Sequence, residues 1–467
     1  MSNEGDIVAS AVLEEFAKLP VKRRPCIRDN GLHEWVPLAG IVAKGPGFLK
    51  CVALATGMKC LPASKLPQAN GVAIHDWHAE VLAIRAFNYF ILEECRRLSL
   101  NNKEASSEFL LRGTEEELAS QQSQNEATPW RGQPFAWRED VTLHMYCSEA
   151  PCGDASMELI MAAQVDASPW DIPPPLAETN DQPTSHSATT ETVTLPGRAF
   201  FSQLGIVRRK PSRSDAPQSL SKSCSDKLAL KQCTSLLSSL PSLFVCPRSV
   251  YLTSLILPES QFSPAACHRC FSASSSSPSS SPSSPTFREK QKEGRMKPLL
   301  DHYTTTKLTD NTGPYSFTPF SIRTTILEFG FSKRTAVAAS TSPRNTTTNP
   351  SDNSNIVASN LAVAWSANGL DEGLVGGVLQ GRKQFVPKGA SSVSRRKLWE
   401  MAIQVAGQLP PDMVGREILG KALDAGRTYD DVKGCDLLAD RRRVKDDARR
   451  EALKGWIRNT GDGSFSI

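Results

Sequence analysis

The chain has 467 residues, of which 39% are hydrophobic and 22% are charged, so its composition excludes a fully disordered chain and a short disulfide scaffold. The net charge of +5 is mildly basic, which permits a nucleic-acid partner without requiring one. Residues 1–6 lack the apolar core of a signal peptide, and no apolar run is long enough to predict a membrane span. The 12 cysteines are irregularly spaced, which indicates free thiols in a reducing compartment, the cytoplasm or the nucleus.

The spacing of apolar residues predicts an α/β fold. Residues 36–56 alternate apolar runs around Gly45-Pro46-Gly47, as a β-hairpin does. Residues 76–97 contain no Gly or Pro and predict one long helix. The other predicted elements are strands at 141–146, 249–257 and 360–365, a helix at 152–164, and a helical region from about 395. This alternation indicates helices packed on a sheet.

Four polar stretches interrupt these elements. They are rich in Ser, Thr, Pro, Asn, Gln or Glu and contain too few apolar residues to offset the loss of chain entropy on folding. We predict flexible insertions at about 104–132, 173–194, 265–295 and 335–357. We predict that the whole chain, 1–467, is a single domain carrying these insertions.

The triplet His78-Ala79-Glu80 lies near the start of the long predicted helix. A hydrolytic zinc deaminase needs three protein ligands on zinc, a position open to water, and a carboxylate that moves the proton without binding the metal. Residues two apart on a helix point about 200° apart, so both side chains reach one site only near a helix end. We predict that His78 is a zinc ligand and Glu80 the catalytic proton shuttle.

Pro151-Cys152-Gly153-Asp154 supplies a second ligand, Cys152, at the start of the next predicted helix. The signature of this class continues as P-C-x-x-C, but Ala155 stands where the second cysteine is expected. A third ligand must therefore come from elsewhere, and Cys224 is the best candidate. Spacing alone leaves three alternatives open: Cys147, Cys233 and Cys246.

Each of these motifs has a plainer interpretation when it stands alone. An H-x-E triplet or a Pro-Cys pair often occurs by chance, whereas their succession on a helix, a strand and a second helix favours zinc. Zinc as a structural staple would need four protein ligands and no position for water. Cys267-His268-Arg269-Cys270 has the form of half such a site, but no second pair follows at the usual spacing, so we favour an ordinary structural role for it.

Several stretches, in order along nearly the whole chain, resemble the eukaryotic tRNA-specific adenosine deaminases that act on tRNA-Ala, in their fungal form. This group shares its catalytic domain with the adenosine deaminases acting on RNA. The matching stretches are 19–22, 34–37, 55–60, 75–80, 151–154, 209–215, 223–229 and 455–459. The resemblance implies a cytidine-deaminase-like three-layer core, in which helices surround a mixed sheet, with a helical C-terminal extension.

The resemblance also assigns the chemistry. It implies that His78, Cys152 and Cys224 bind zinc, with Glu80 as proton shuttle. The implied reaction is hydrolytic deamination of adenosine to inosine, at the adenosine 3′ of the anticodon in tRNA-Ala. An anticodon loop presents its bases partly unstacked, which lowers the cost of bringing one to a buried metal.

A buried inositol hexakisphosphate is the second cofactor that the resemblance implies. Arg85 fits this from the residues themselves, because a cation inside an apolar helix wall needs an anion, although an ordinary Asp or Glu would serve. Ile84 stands where relatives that edit double-stranded RNA have Arg, and Leu230 and Lys231 replace an Arg-Trp pair, although Lys231 could still reach a phosphate. The implied ligand set is Arg85, Lys227, Lys231, Tyr429, Lys433 and Trp456.

Substrate contacts are predicted around the same site. Lys59 matches a position near the bound nucleotide, and cations close to Cys224 are placed to contact phosphate. The alternative is a solvated basic loop, and the run Arg441-Arg442-Arg443 is interpreted as a solvated helix face. The predicted substrate residues are Lys59, Arg209, Lys210 and Arg213.

Two rival functions remain at this point. One is adenosine-to-inosine editing of double-stranded RNA, and the other is a non-catalytic RNA-binding relative of the same fold. Editors usually carry separate RNA-binding domains, and we expect none here. We expect tRNA as the partner, with no membrane and no DNA; the residues do not indicate an oligomeric state.

Overall fold

The computed structural model describes residues 3–100, 106–113, 130–163, 195–196, 203–210, 216–274, 294–307, 313–340, 355–411, 413 and 415–467. The helices are α1 (Glu4–Lys18), α2 (Ala79–Leu100), α3 (Met157–Ala162), α4 (Cys224–Thr234), α5 (Pro241–Phe244), α6 (Pro264–Phe271), α7 (Lys297–Lys307), α8 (Lys333–Ser340), α9 (Arg395–Gln408), α10 (Gly415–Leu423), α11 (Tyr429–Gly434) and α12 (Ala439–Glu451). The strands are β1 (His33–Trp35), β2 (Leu38–Gly45), β3 (Phe48–Thr56), β4 (Leu110–Arg112), β5 (Phe135–Trp137), β6 (Thr142–Cys147), β7 (Leu195–Pro196), β8 (Arg208–Arg209), β9 (Val245–Cys246), β10 (Leu252–Pro258), β11 (Ser321–Thr325), β12 (Ile356–Ala358), β13 (Ala362–Ser366), β14 (Asp371–Val375) and β15 (Val378–Leu379).

Eight strands form a mixed sheet in the order β11-β10-β6-β2-β3-β13-β14-β15. The neighbours among β6, β10 and β11 are parallel, and all other neighbours in this sheet are antiparallel. The predicted hairpin is confirmed as β2 and β3, which pair from Gly45 and Phe48 at the turn to Leu38 and Thr56 at the open end. The predicted α/β class with a mixed sheet is therefore confirmed.

Side chains of a strand alternate between the two faces of the sheet. Both faces here carry apolar side chains, and helices cover both. On β2, Leu38 and Val42 pack in one apolar cluster with Val12 of α1. Ile41 packs in the other, larger cluster, with residues of α2. At Gly40 a Cβ atom would lie 2.5 Å from the Val12 side chain, so glycine allows α1 to approach the sheet closely. Helix α1 was not predicted from the sequence.

The predicted helical C-terminal region is confirmed, and it forms a further layer outside α2. Helix α9 packs directly on α2. Its Trp399 is fully buried and donates its indole N–H to the carbonyl of Leu423, 3.0 Å away, which joins α9 to the end of α10. In the described ranges, no helix is both long and apolar enough to cross a bilayer.

The bounds of the predicted insertions can be compared with the structure only where their residues are described. The range 173–194 lies outside the described residues, as do the central portions of the other three. Three of the predicted ranges are too wide, because they overlap ordered elements: 104–132 contains β4, 265–295 begins inside α6, and 335–357 runs from α8 into β12. Short apolar sets explain these errors. Leu110 is buried in the core, and Cys267 and Cys270 are buried on one side of α6.

Candidate metal centre and active site

Three of the predicted ligands meet in space. The ligand atoms of His78, Cys152 and Cys224 all lie within 4.8 Å of one another, and within the residues that the structure describes no other such set of three occurs. The Sγ of Cys152 lies 3.8 Å from the Nδ1 of His78, and the backbone N–H of Cys224 points at that sulfur from 3.3 Å. The structure thus brings Cys224 to this site, although spacing could not separate it from other cysteines.

His78 lies immediately before α2, whereas the predicted helix 76–97 included it. The helix begins at Ala79 because the preceding residues are held in extended pairing, with a bridge between Cys60 and Asp76 and a 3.0 Å hydrogen bond from the Trp77 N–H to the Lys59 carbonyl. The His78 carbonyl accepts the N–H of Leu82 at 2.8 Å, which makes His78 the first residue joined to the helix. The histidine and the carboxyl of Glu80 still share the helix end.

Cys152 lies in a loop and not on the predicted helix 152–164. That region is a short 3₁₀ turn (Asp154–Ser156) followed by α3. Gly153 has a φ of 103°, and a Cβ there would lie 2.4 Å from the side chain of Ser223. Ser223 is the N-cap of α4, and Cys224 is the first residue of that helix. Glycine therefore allows the two cysteine-bearing segments to touch.

A buried aspartate lies two residues after each cysteine ligand. Asp154 and Asp226 are both fully buried. Each carboxylate accepts one backbone N–H from the segment 203–210 and pairs with one arginine. Asp154 accepts from the Gly205 backbone N–H at 3.1 Å and from Arg269 Nε at 2.8 Å. Asp226 accepts from the Arg208 backbone N–H at 2.9 Å and from Arg295 Nη1 at 2.7 Å. The two cysteine segments are therefore fixed by matching sets of contacts. Arg269 belongs to the motif that looked like half a zinc site.

Lys210 was predicted to contact substrate, but the structure buries it behind the ligands at 3% exposure. Its Nζ donates to the Sγ of Cys224 at 3.2 Å and to Asp76 at 2.8 Å. Asp76 also pairs with Lys227 and accepts the hydroxyl of Ser221 at 2.8 Å. This position does not favour a contact with an RNA phosphate. Sequence reasoning missed Asp76, although it directly precedes the Trp77-His78 pair.

The charges in this cluster determine the protonation of its groups. Burial opposes ionisation of Asp76, but Lys210 and Lys227 hold its pKa well below the usual range. Burial likewise disfavours the Lys210 ammonium, yet Asp76 and the two thiols raise its pKa well above the ordinary value. A hydrogen bond from Cys224 and the charge of Lys210 lower the pKa of Cys152, so a thiolate is favoured there. Metal ligation requires thiolates.

Glu80 is the fourth residue of the site. Its side chain is 6% exposed, and burial, followed by the Cys152 sulfur, raises the pKa of its carboxyl. A carboxyl whose pKa lies closer to neutrality both accepts and returns a proton readily. One imidazole and two thiols form a donor set that zinc prefers, and three protein ligands leave one position of a tetrahedron open. The residues present therefore fit a catalytic zinc.

Most of the residues predicted to bind inositol hexakisphosphate lie in a second cluster of cations, but Lys227 lies in the first cluster, where it pairs with Asp76. Lys433 and Arg395 both lie 5.8 Å from the ring centre of Tyr429. Burial and then Arg395 lower the pKa of Arg85 to about 10. Lys231 instead donates to the carbonyls of Leu236 and Leu237, at 3.0 Å each.

Further cations of this cluster come from α12 and were not predicted. Arg441 was interpreted as part of a solvated face, but it is 4% exposed and donates to the Thr234 carbonyl at 2.8 Å. Burial, then Arg441 and Lys433, lower the pKa of Lys445 well below the usual range. Arg449 lies 5.6 Å from the ring centre of Trp456. The spacing of four between Arg441, Lys445 and Arg449 places them on one helix face, a signal that was available in the sequence. Several cations gathered on one helix face with few acidic partners fit a polyanionic ligand.

The other predicted substrate residues are dispersed. Lys59 is exposed and its side chain donates to Asn360. Arg209 is half-buried, and burial lowers the pKa of its guanidinium. Arg213 lies outside the described residues. The structure thus leaves Lys59 at the rim of the site and moves Lys210 into its interior.

The site and the fold agree with a comparison against protein families. The adenosine-deaminase (editase) domain matches residues 53–460, which include all three candidate ligands and Glu80. The chain belongs to this family.

Individual members of the family are also similar to this chain. The tRNA-specific adenosine deaminase 1 of Schizosaccharomyces pombe is 35% identical over 335 residues, which cover 71% of each chain. The protein of the same name from Saccharomyces cerevisiae is 34% identical over 54% of this chain and 58% of its own length. The double-stranded RNA-specific editase B2 of Rattus norvegicus is 26% identical over 32% of this chain and 18% of its own length.

Proposed function

We propose that this family member is a zinc-dependent hydrolase that deaminates adenosine to inosine in tRNA, at the adenosine 3′ of the anticodon in tRNA-Ala. The observation that carries the proposal is the convergence of His78, Cys152 and Cys224 beside the buried carboxyl of Glu80. The names of the yeast relatives support tRNA as the substrate. The enzyme would act in the cytoplasm or the nucleus.

The proposed mechanism assigns one task to each residue. His78, Cys152 and Cys224 would hold the zinc ion. When bound, zinc lowers the pKa of a water molecule towards neutrality and so supplies the nucleophile. Glu80 would take one proton from that water and deliver it to the purine ring as the oxygen bonds to C6. It would then take the remaining proton from the added hydroxyl and pass it to the amine, so that the C6–N bond breaks, ammonia leaves and a C6 carbonyl remains. The raised pKa of the Glu80 carboxyl suits both directions of transfer.

Lys210 and Asp76 support the ligands from behind. The Lys210 ammonium faces Cys224 and would compensate the negative charge that the two sulfurs carry once they bind zinc. Asp76 fixes that ammonium and also accepts the backbone N–H of His78 at 3.1 Å. The Asp76 carboxylate therefore orients the backbone of His78 and also the Lys210 ammonium, which lies beside Cys224. Such outer contacts commonly set metal affinity.

The proposal includes inositol hexakisphosphate in the second cation cluster. Support comes from the number of cations whose pKa values are lowered by burial and by one another. A polyanion would neutralise them. The residues expected to hold it are Arg85, Lys227, Lys231, Arg395, Tyr429, Lys433, Arg441, Lys445, Arg449 and Trp456.

The decisive experiment measures inosine across a complete set of tRNAs incubated with the purified protein. We expect conversion of a single adenosine, in tRNA-Ala, and loss of that activity in Glu80→Ala with zinc still bound at one ion per chain. Glu417→Ala, at a carboxylate 78% exposed, is the matched control. Full activity of Glu80→Ala would refute the proposed mechanism. Preferential conversion of long duplex RNA would instead support the double-stranded RNA editor, in keeping with the similarity to the rat editase.

A further inference from the structure

An exposed loop of three cations lies beside the active site. It comprises residues 381–388 and is called here the basic loop; it follows β15. Arg382, Lys383 and Lys388 are all exposed. The loop carries no acidic residue, and none occurs between Glu372 and Glu400 in the sequence. The surface of this loop is therefore uniformly positive.

Backbone contacts fix the base of the loop against the residues that precede His78. The N–H of Ile74 donates to the carbonyl of Gly377 at 2.8 Å. A Cβ at Gly377 would lie 3.0 Å from the ring of Trp77, so the β14–β15 turn contacts the segment that leads directly to the first ligand. The basic loop thus starts from a turn that adjoins the site.

A second set of contacts joins the loop to Lys65. The side-chain oxygen of Gln384 accepts a hydrogen bond from the Lys65 ammonium at 3.3 Å, and its amide nitrogen donates to the Gly376 carbonyl at 2.6 Å. Lys65 is exposed and belongs to a stretch, residues 51–75, that also contains no acid. Lys59, whose backbone pairs with Trp77, lies in the same stretch. Two acid-free segments therefore meet at one rim of the site.

The cations of the basic loop differ from other surface cations of this protein. Lys18, Lys44 and Lys50 each form an ion pair with a nearby glutamate. Within the described residues, Arg382, Lys383 and Lys388 form none. Phe385 packs against the main core, which holds the loop in place before any ligand arrives. The backbone that carries these cations is therefore anchored, so that binding requires no rearrangement of the loop itself.

We propose that the basic loop, with Lys65, binds the phosphate backbone of the tRNA next to the nucleotide that enters the site. Three loop cations and Lys65 give several donors at the rim, which suits a chain of phosphates more than a single anion. Such contacts set the register of the RNA and carry no base specificity. This inference rests on the proposed function, since it names the surface that holds the same substrate.

The test compares two triple variants that remove equal charge. Arg382→Gln/Lys383→Gln/Lys388→Gln removes the loop cations, and Lys18→Gln/Lys44→Gln/Lys50→Gln is the control. Lys44 and Lys50 flank the closed turn of the β2–β3 hairpin, whereas the site adjoins its open end. Binding of transcribed tRNA-Ala is measured at several salt concentrations, together with deamination kinetics.

We expect the loop variant to raise the Kd and KM for tRNA about tenfold or more, with kcat at saturating tRNA unchanged. The slope of log Kd against log salt should fall in magnitude by roughly two to three, since each lost phosphate contact removes about 0.7 to 0.9. The control variant should keep the wild-type slope. An unchanged Kd and slope in the loop variant would overturn the inference. Failure of the proposed function is separate, because wild-type protein would then form no inosine in any tRNA.

Discussion

The Nζ of Lys210 lies 3.2 Å from the Sγ of Cys224, so a buried ammonium group stands directly behind a ligand thiol. The same Nζ lies 2.8 Å from Asp76, whose other contacts include the backbone of His78. A single pair of opposite charges therefore adjoins two of the three ligands. Its removal should change metal binding before it changes the fold.

Lys210→Met is expected to weaken zinc binding by about 10- to 100-fold, the usual effect of losing a contact behind a metal ligand. The physical reason is that the thiolate of Cys224 loses its compensating charge. Zinc affinity is measured by competition with a chromophoric chelator, and the fold by circular dichroism. Wild-type zinc affinity in a folded Lys210→Met protein would contradict this prediction.

Asp76→Asn/Lys210→Met provides the matched double variant. In Lys210→Met alone, Asp76 keeps Lys227 as its one remaining cationic partner. Breaking a buried pair costs more than removing both partners, because the charge left behind is poorly compensated. The double variant should therefore unfold at higher urea concentration than the sum of the two single effects predicts, which a double-mutant cycle detects.

The Gly153–Ser223 contact gives a second prediction. Gly153→Ala adds a Cβ only 2.4 Å from the Ser223 side chain, so the Cys152 loop must move away from Cys224. We expect zinc affinity to fall by at least about tenfold. In cobalt-substituted protein, the thiolate charge-transfer absorption should weaken as well, because one sulfur leaves the coordination distance.

Gly31→Ala separates this displacement from backbone strain. Gly31 also has a positive φ, 80°, but nothing lies within 4 Å of the added Cβ. It should destabilise the protein by about 1 kcal/mol and leave metal binding unchanged. Equal metal affinity in both variants would show that the close approach at Gly153 does not position the ligands.

Local sequence patterns correctly predicted the features that depend on residues close together in the chain. The β2–β3 hairpin follows from alternation around Gly45-Pro46-Gly47, and His78 with Glu80 follows from their place at a helix end. The burial of Lys210 did not follow, because its partner Asp76 lies 134 residues away and only the fold brings them together. Lys210, which follows Arg208 and Arg209 in the sequence, was therefore assigned to the surface.

Other differences between prediction and structure have the same cause. Cys224 was separable from Cys147 and Cys233 by resemblance alone, since spacing carries no information on a contact 72 residues away from Cys152. In contrast, the buried face of α12 was predictable, because Arg441, Lys445 and Arg449 recur every four residues. Only the run Arg441-Arg442-Arg443 was considered, and it was interpreted as solvated because charged side chains rarely lie inside a protein without a ligand or partner.

The second cation cluster predicts a specific effect of pH. Burial and neighbouring cations lower the pKa of Lys433 to about 8, from an ordinary value of 10.5. Between these two values, the unfolded chain binds more protons at this residue than the folded protein does. The contribution of Lys433 to the free energy of unfolding therefore rises with pH across this interval. The charged groups that surround it are Arg395, Asp430, Arg441, Lys445 and Arg449, with Tyr429 beneath the ammonium.

Inositol hexakisphosphate should remove this effect, because a bound polyanion restores the pKa of Lys433 towards its ordinary value. Urea unfolding is measured from pH 7.5 to 10.5 for the wild type and Lys433→Gln, each with and without the ligand. Without ligand, the stability advantage of Lys433→Gln over the wild type should shrink as pH rises; subtracting the two proteins cancels the titration of the thiols. At a ligand concentration of about a thousand times the wild-type Kd, the free energy of unfolding of the wild type should rise by about 4 kcal/mol at pH 7.5. At the same concentration, that of Lys433→Gln should rise by less. An equal gain in both proteins would place the polyanion away from Lys433.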